Sequence, residues 1–153
     1  MISSIVYKKL LNKGLTITFA ESMTGGLLSY EMIKNPGSSN VIKGSIVAYS
    51  NAQKENLLGI SEEIIESNGI VSKEIAMQMA EHARLKIGAS IGVGLTGNAG
   101  PSMQKGTFKQ EVWISISADQ RIEAYHLDLQ GLSRIQAIQK AVRFTYEKLA
   151  VFI

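Results

Sequence analysis

Apolar residues in this chain keep two alternating rhythms: short unbroken runs, and longer stretches spaced near one helical turn. The runs Leu15–Ala20, Ile42–Tyr49, Ser90–Thr96, Val112–Ser117 and Ile122–Leu129 predict strands. Helical spacing predicts a first helix from about Ser4, stopped by Gly14, and a second from near Thr24 to the Asn35-Pro36-Gly37 break. Ser50-Asn51 caps a short helix ending at Gly59, and Ser61-Glu62-Glu63 opens another that Asn68-Gly69 closes. Ser72 caps a longer helix to Ile87 with an apolar stripe of Ile75, Ala76, Met79, Ala80 and Ala83. A last helix starts at Ser133 and is expected to bury Ile135, Ile138, Val142, Thr145 and Leu149.

Helices between the first three strands imply parallel crossovers, while the tight Asp119-Gln120 turn forces one antiparallel strand. The expected fold is α/β: a three-layer α/β/α sandwich with a mixed five-stranded sheet. Ligands of such sheets bind beyond the carboxyl ends of the parallel strands. Three segments converge there: Glu21–Gly26, Ser50–Lys54 and Thr96–Pro101.

Bulk properties narrow the function without naming it. A length of 153 residues suits one domain with a real core, and no repeat or linker interrupts it. The absence of cysteine removes disulfides, thiolate metal sites and a cysteine nucleophile, and suits a cytoplasmic location. The first residues carry no cationic leader, and no apolar run approaches the ~18 residues of a membrane span. A net charge of +3, from 16 basic residues scattered among 13 acidic ones, is weak evidence for a nucleic-acid surface and suits a small anion equally well. Charge therefore decides nothing, and a nucleic-acid partner is not expected. Glu62, Glu63 and Glu66 read as a polar helix face, so no metal site is expected, nor any cofactor.

The stretch Thr18-Phe-Ala-Glu-Ser-Met-Thr-Gly-Gly26 places hydroxyls, a carboxylate and two glycines on a strand-to-helix turn. Amides at such a turn can hold an anion or a developing oxyanion, although an ordinary N-cap explains a serine there too. Ser22 is the candidate nucleophile, and it needs a base. His82 falls within the long helix and His126 within the fifth strand, so a Ser-His-Asp triad is disfavoured. Lys54 lies in the first turn of the helix after strand two, where the dipole and partial burial both depress a lysine pKa. A solvated lysine is the alternative reading. Arg134, just after a cap, would convert an unfavourable helix-terminal charge into a phosphate site, or would simply be solvated. Thr96-Gly97-Asn98-Ala99-Gly100-Pro101 is either a pocket wall or a plain turn.

Taken together, these residues resemble the CinA C-terminal domain family, which includes nicotinamide mononucleotide deamidases. The matching pieces are Ala20-Glu-Ser-Met-Thr-Gly-Gly26, Asn35-Pro-Gly-Ser-Ser39, Ala48-Tyr-Ser-Asn-Ala-Gln-Lys54, Leu57-Leu-Gly59, Gly69-Ile-Val-Ser72, Thr96–Pro101 and Arg134. They span nearly the whole chain, 1–153, as a single domain of the stand-alone deamidase type, without the N-terminal domain of longer members. The resemblance implies hydrolysis of the carboxamide of nicotinamide mononucleotide by a metal-free Ser/Lys mechanism. Ser22 would attack and Lys54 would take its proton. Thr96 and the amides around Thr24, Gly25 and Gly26 would orient the substrate or hold the oxyanion, and Arg134 would bind the phosphate. Glu21, Tyr49, Gly97 and Gly100 would complete the binding site for a small pyridine nucleotide, in a homo-oligomer.

Three departures from the family pattern matter. Met23 replaces a small cysteine beside the serine, and Asn98 stands where an aliphatic residue is usual. The family's glycine-rich loop and its Lys-Pro-Val-Gly-Thr-Val lead-in to strand four become Ser102-Met-Gln-Lys-Gly-Thr-Phe-Lys-Gln-Glu-Val112, which is expected to reshape the pocket wall. A fold relative that binds a nucleotide or phosphate without turnover is the alternative function.

Overall fold

The computed structural model describes all residues, Met1–Ile153. In chain order the elements are α1 (Ile2–Lys13), β1 (Ile17–Glu21), α2 (Leu27–Ile33), β2 (Ile46–Val47), α3 (Asn51–Leu58), α4 (Glu62–Asn68), α5 (Lys73–Ile87), β3 (Ile91–Asn98), β4 (Glu111–Ala118), β5 (Arg121–Asp128) and α6 (Arg134–Phe152). The five strands form one sheet in the order β2-β1-β3-β4-β5. Strands β1, β2 and β3 run parallel, and β4 runs antiparallel to both its neighbours. The mixed sheet with one reversed strand is therefore as the pattern predicts.

Two apolar clusters flank the sheet. On one face Phe19, Leu95, Ile114, Leu10 and Tyr146 join strands to α1 and α6. On the other, Ala20, Ile75, Met79 and Ala83 seat α5. That helix approaches so closely that a Cβ on Gly94 would lie 2.3 Å from the Ala76 carbonyl oxygen. Glycine in the central strand is thus a condition of the layer spacing. Strands β1 and β3 are buried along their whole length, as befits strands covered on both faces.

Four serines cap helices as their positions predict: Ser50, Ser61, Ser72 and Ser133 each accept the amide three residues on. Ser133 adds a capping box with Gln136.

Three expectations need correction. Helix α2 starts at Leu27 rather than Thr24, because Gly25 and Gly26 take left-handed φ values of 58° and 108°. The second strand shrinks from Ile42–Tyr49 to Ile46–Val47, with only an isolated bridge at Ile42. Its intervening Gly44 carbonyl accepts from the Thr18 hydroxyl, which replaces ladder pairing by a side-chain bond. Ile135 is 68% exposed, because the core face of α6 is set by Ala137, Ala141, Val142, Thr145, Tyr146 and Leu149. No helix is long and apolar enough to cross a membrane.

Candidate functional site

The carboxyl ends of β1, β2 and β3 open onto a cavity of about 390 Å³ lined by residues of all three predicted segments. Ser22, Met23, Tyr49, Ser50, Gly97, Asn98, Ala99 and Arg134 contribute, together with Ser102, Met103 and Gln104 from the following loop.

Ser22 follows β1 directly and is nearly buried. The Lys54 Nζ lies 3.1 Å from its Oγ, 3.1 Å from the Ala48 carbonyl oxygen and 3.5 Å from that of Tyr49. Lys54 is fully buried, deeper than the partial burial expected and against the solvated alternative. Loss of hydration pushes its pKa down to about 8. Burial is the cause, and no carboxylate stands beside the amine to oppose it. A neutral amine has two N–H donors and one lone pair. The protonated amine donates to all three neighbours; once neutral it keeps its N–H bonds to the two carbonyls and turns its lone pair to the Ser22 hydroxyl proton. The pair is thus a nucleophile with a base already in reach.

The rest of the turn serves a different purpose from the one expected. The Glu21 carboxylate is fully buried and accepts from the Thr24 hydroxyl, the Gly26, Leu28 and Ser29 amides and the Ser29 hydroxyl. It fastens the start of α2 and lines no part of the cavity. The Gly25 amide donates to the Ser22 carbonyl, so neither Gly25 nor Gly26 has an amide free for an oxyanion. The amides of Ser22, Met23 and Thr24 make no hydrogen bond within the chain. They are the donors of this turn left for a ligand, and sequence reasoning missed Met23 because its bulk drew attention from its backbone.

Thr96 is fully buried and donates its hydroxyl proton to the Ile70 carbonyl at 2.7 Å, outside the cavity lining. Extending the β1–β3 register places it beside Ser22 on the face covered by α5. Its placement is that of a support behind the nucleophile. Gly97 lines the cavity, and a Cβ there would meet Met23 Sδ at 2.7 Å, so glycine makes room for the bulky neighbour of Ser22. Gly100 stands outside the lining, where its carbonyl accepts from Arg134 Nη1 at 2.8 Å. Arg134 Nη2 donates to the Tyr49 hydroxyl at 2.8 Å, so two predicted binding residues meet at the cavity mouth.

Neither histidine belongs to the site. A ring nitrogen of His82 bonds the Leu58 carbonyl, and His126 pairs with Glu111.

The altered loop is fastened rather than open. Asn98 Nδ2 donates to the Lys109 carbonyl, and Gln104 Nε2 donates to the Gly97 carbonyl and to Asn98 Oδ1. Gln110 Nε2 ties the Ala99 carbonyl to that of Leu132. Side-chain amides thus hold the wall that glycines would otherwise form by backbone approach. Ser102, Met103 and Gln104, in the segment expected to reshape the pocket wall, do line the cavity. Asn98, noted as unusual for an aliphatic position, was part of that signal.

Comparison with known proteins agrees with this geometry. The profile of the CinA C-terminal domain matches residues 1–153. A competence-damage inducible protein of Lysinibacillus sphaericus is 39% identical over 94% of this chain and 34% of its own length. A CinA-like protein of Dictyoglomus turgidum is 45% identical over 74% of this chain and 27% of its own. The chain therefore spans about a third of the length of these curated relatives. Among solved structures, the competence/damage inducible protein CihA of Agrobacterium tumefaciens superposes with a TM-score of 0.92 at 28% identity, covering 98% of this chain and 94% of that one. A competence or damage-inducible protein of Enterobacter asburiae gives 0.93 at 27%, with the same coverage. With its full-length profile match and its Ser22–Lys54 pair at the sheet edge, this chain belongs to the CinA C-terminal domain family.

Proposed function

We propose that this protein is an amidohydrolase that converts nicotinamide mononucleotide to nicotinate mononucleotide and ammonia. The observation that carries this reading is the buried Lys54 amine within hydrogen-bond reach of the Ser22 hydroxyl. Ser22 Oγ attacks the carboxamide carbon as its proton passes to Lys54 Nζ. The oxyanion formed is held by the Met23 and Thr24 amides. Nζ then gives the proton to the leaving nitrogen, the C–N bond breaks and ammonia departs. Water adds to the acyl-serine ester as Nζ takes its proton; the C–Oγ bond then breaks, Nζ returns the proton to Ser22 Oγ, and the acid is released. Every step uses groups of this chain and water, with no metal or cofactor in any role.

At the cavity mouth Arg134 and Tyr49 bind the phosphate, which replaces the Tyr49 hydroxyl on the guanidinium. The domain works in the cytoplasm, in a homo-oligomer. Ammonia release from nicotinamide mononucleotide by the purified protein, beside its Ser22→Ala variant, tests the reading. Release that disappears in the variant is the expected result. A folded wild-type protein that binds the nucleotide and releases no ammonia instead favours a binding-only member of the fold.

A further inference from the structure

The cavity wall that includes Ser22 also carries a polar pair that the chemistry above leaves unused. Asn98 is nearly buried, and Gln104 lines the cavity beside it. Backbone carbonyls fix how both amides point. The Lys109 carbonyl can only accept, so it takes Asn98 Nδ2 and turns Asn98 Oδ1 toward Gln104. The Gly97 carbonyl likewise takes Gln104 Nε2 at 3.0 Å, and Asn98 Oδ1 takes the same nitrogen at 3.0 Å. Both N–H groups of Gln104 are thereby spent. Its Oε1 receives no hydrogen bond from the chain and is not buried away from solvent. The side chain is therefore locked as an acceptor, since flipping it would set oxygen against two other oxygens. Gln104 and Ser22 line the same cavity, with Met23 and Gly97 also in its wall.

We propose that Gln104 is a specificity-determining residue: its Oε1 accepts from an N–H or O–H donor on the ligand and disfavours a ligand that offers only lone pairs there. In the amidase reading, on which this inference rests, the donor is the substrate's carboxamide N–H or a sugar hydroxyl. A carboxamide donor makes the wall a discriminator of amide from acid. Hydrolysis then removes the hydrogen-bond partner and sets carboxylate lone pairs against Oε1, which speeds product departure.

Binding to the Ser22→Ala protein, where no ligand is consumed, tests this by calorimetry. The probes are nicotinamide mononucleotide, nicotinate mononucleotide and the 2′- and 3′-deoxy forms of the amide nucleotide. Adding Gln104→Met is expected to shrink one preference by roughly three- to tenfold, the effect of one neutral hydrogen bond. Compression of the amide-to-acid ratio identifies the carboxamide as the group read, and compression of a hydroxyl-to-deoxy ratio identifies the sugar. Asn98→Leu leaves Gln104 in place but frees one of its N–H groups, and is expected to compress the same ratio less. Equal weakening of all probes by Gln104→Met, or no change in any, overturns the assignment and leaves Gln104 a loop fastener. Failure of the Ser22→Ala parent to bind any probe overturns the substrate reading and this inference with it.

Discussion

Two fully buried polar side chains, Glu21 and Lys54, flank Ser22 and have opposite fates. Glu21 accepts five hydrogen bonds, from α2 amides and from the Thr24 and Ser29 hydroxyls, so its burial is compensated and it holds structure. Lys54 has two carbonyls and one hydroxyl around it and no counter-charge. Its N–H groups find acceptors, but its charge meets no opposite charge, so burial favours loss of a proton. A buried charge with a full set of partners fixes a turn, whereas one without a counter-ion becomes a base near neutrality. The same sheet edge thus builds a rigid clamp and a reactive amine a few ångströms apart.

Replacing the reactive pair has the largest expected effect. Lys54→Met lowers kcat/KM by about 10²–10⁴-fold, the usual worth of a general base. It also stabilises the fold at pH 7 by up to ~3 kcal/mol, because the cost of burying an ammonium disappears. The sign follows from linkage. With a folded pKa of about 8, below the ordinary 10.5, the unfolded chain binds more protons between those values. Wild-type stability therefore rises as pH climbs from about 8 to 10.5, and the advantage of Lys54→Met shrinks over that window. Denaturant melts of both proteins at pH 7 and pH 10 measure this. A variant less stable than wild type at pH 7 would mean that Lys54 packing outweighs its desolvation.

The clamp should behave in the opposite way. Glu21→Ala leaves several buried donors unpaired and is expected to cost roughly 3–5 kcal/mol of stability. Thermal unfolding reads this directly, and a loss under 1 kcal/mol would show that water replaces the carboxylate. The contrast between the two residues collapses if both substitutions move stability in the same direction.

Wild-type activity sharpens the comparison through pH alone. As the active form of Lys54 is the neutral one, kcat/KM rises with pH and levels off above about 8. A flat profile from pH 6 to 9 would remove Lys54 as the base.

The smallest expected effect lies at the cavity mouth. Arg134→Ala raises KM for the phosphorylated substrate by about 10-fold, as loss of a charge-assisted bond would. The corresponding nucleoside, lacking phosphate, should be nearly unaffected. Equal changes for both would assign Arg134 to holding Tyr49 and Gly100 in place.

Much of this was legible in the chain because its signals are local. Serine caps at 50, 61, 72 and 133 fix helix starts through hydrogen bonds only three residues long. The Ser22 and Lys54 positions follow from strand-to-helix turns that must meet at one sheet edge. What was misread depends on distant partners. Ile135 looks like core by spacing, but the phase of α6 against the sheet leaves it exposed. Glu21 looks like a ligand group, yet the curl of α2 brings amides at 26, 28 and 29 onto it.

Sequence alone determined the order of the elements, the reversed strand and which loops share the carboxyl edge, since periodicity, caps and short connections are properties of neighbouring residues. Tertiary structure alone decided how deeply Lys54 is buried, which turn amides remain free and which way the Gln104 amide faces. Those outcomes depend on desolvation and on hydrogen-bond partners far away in the chain, and both exist only once the layers have packed.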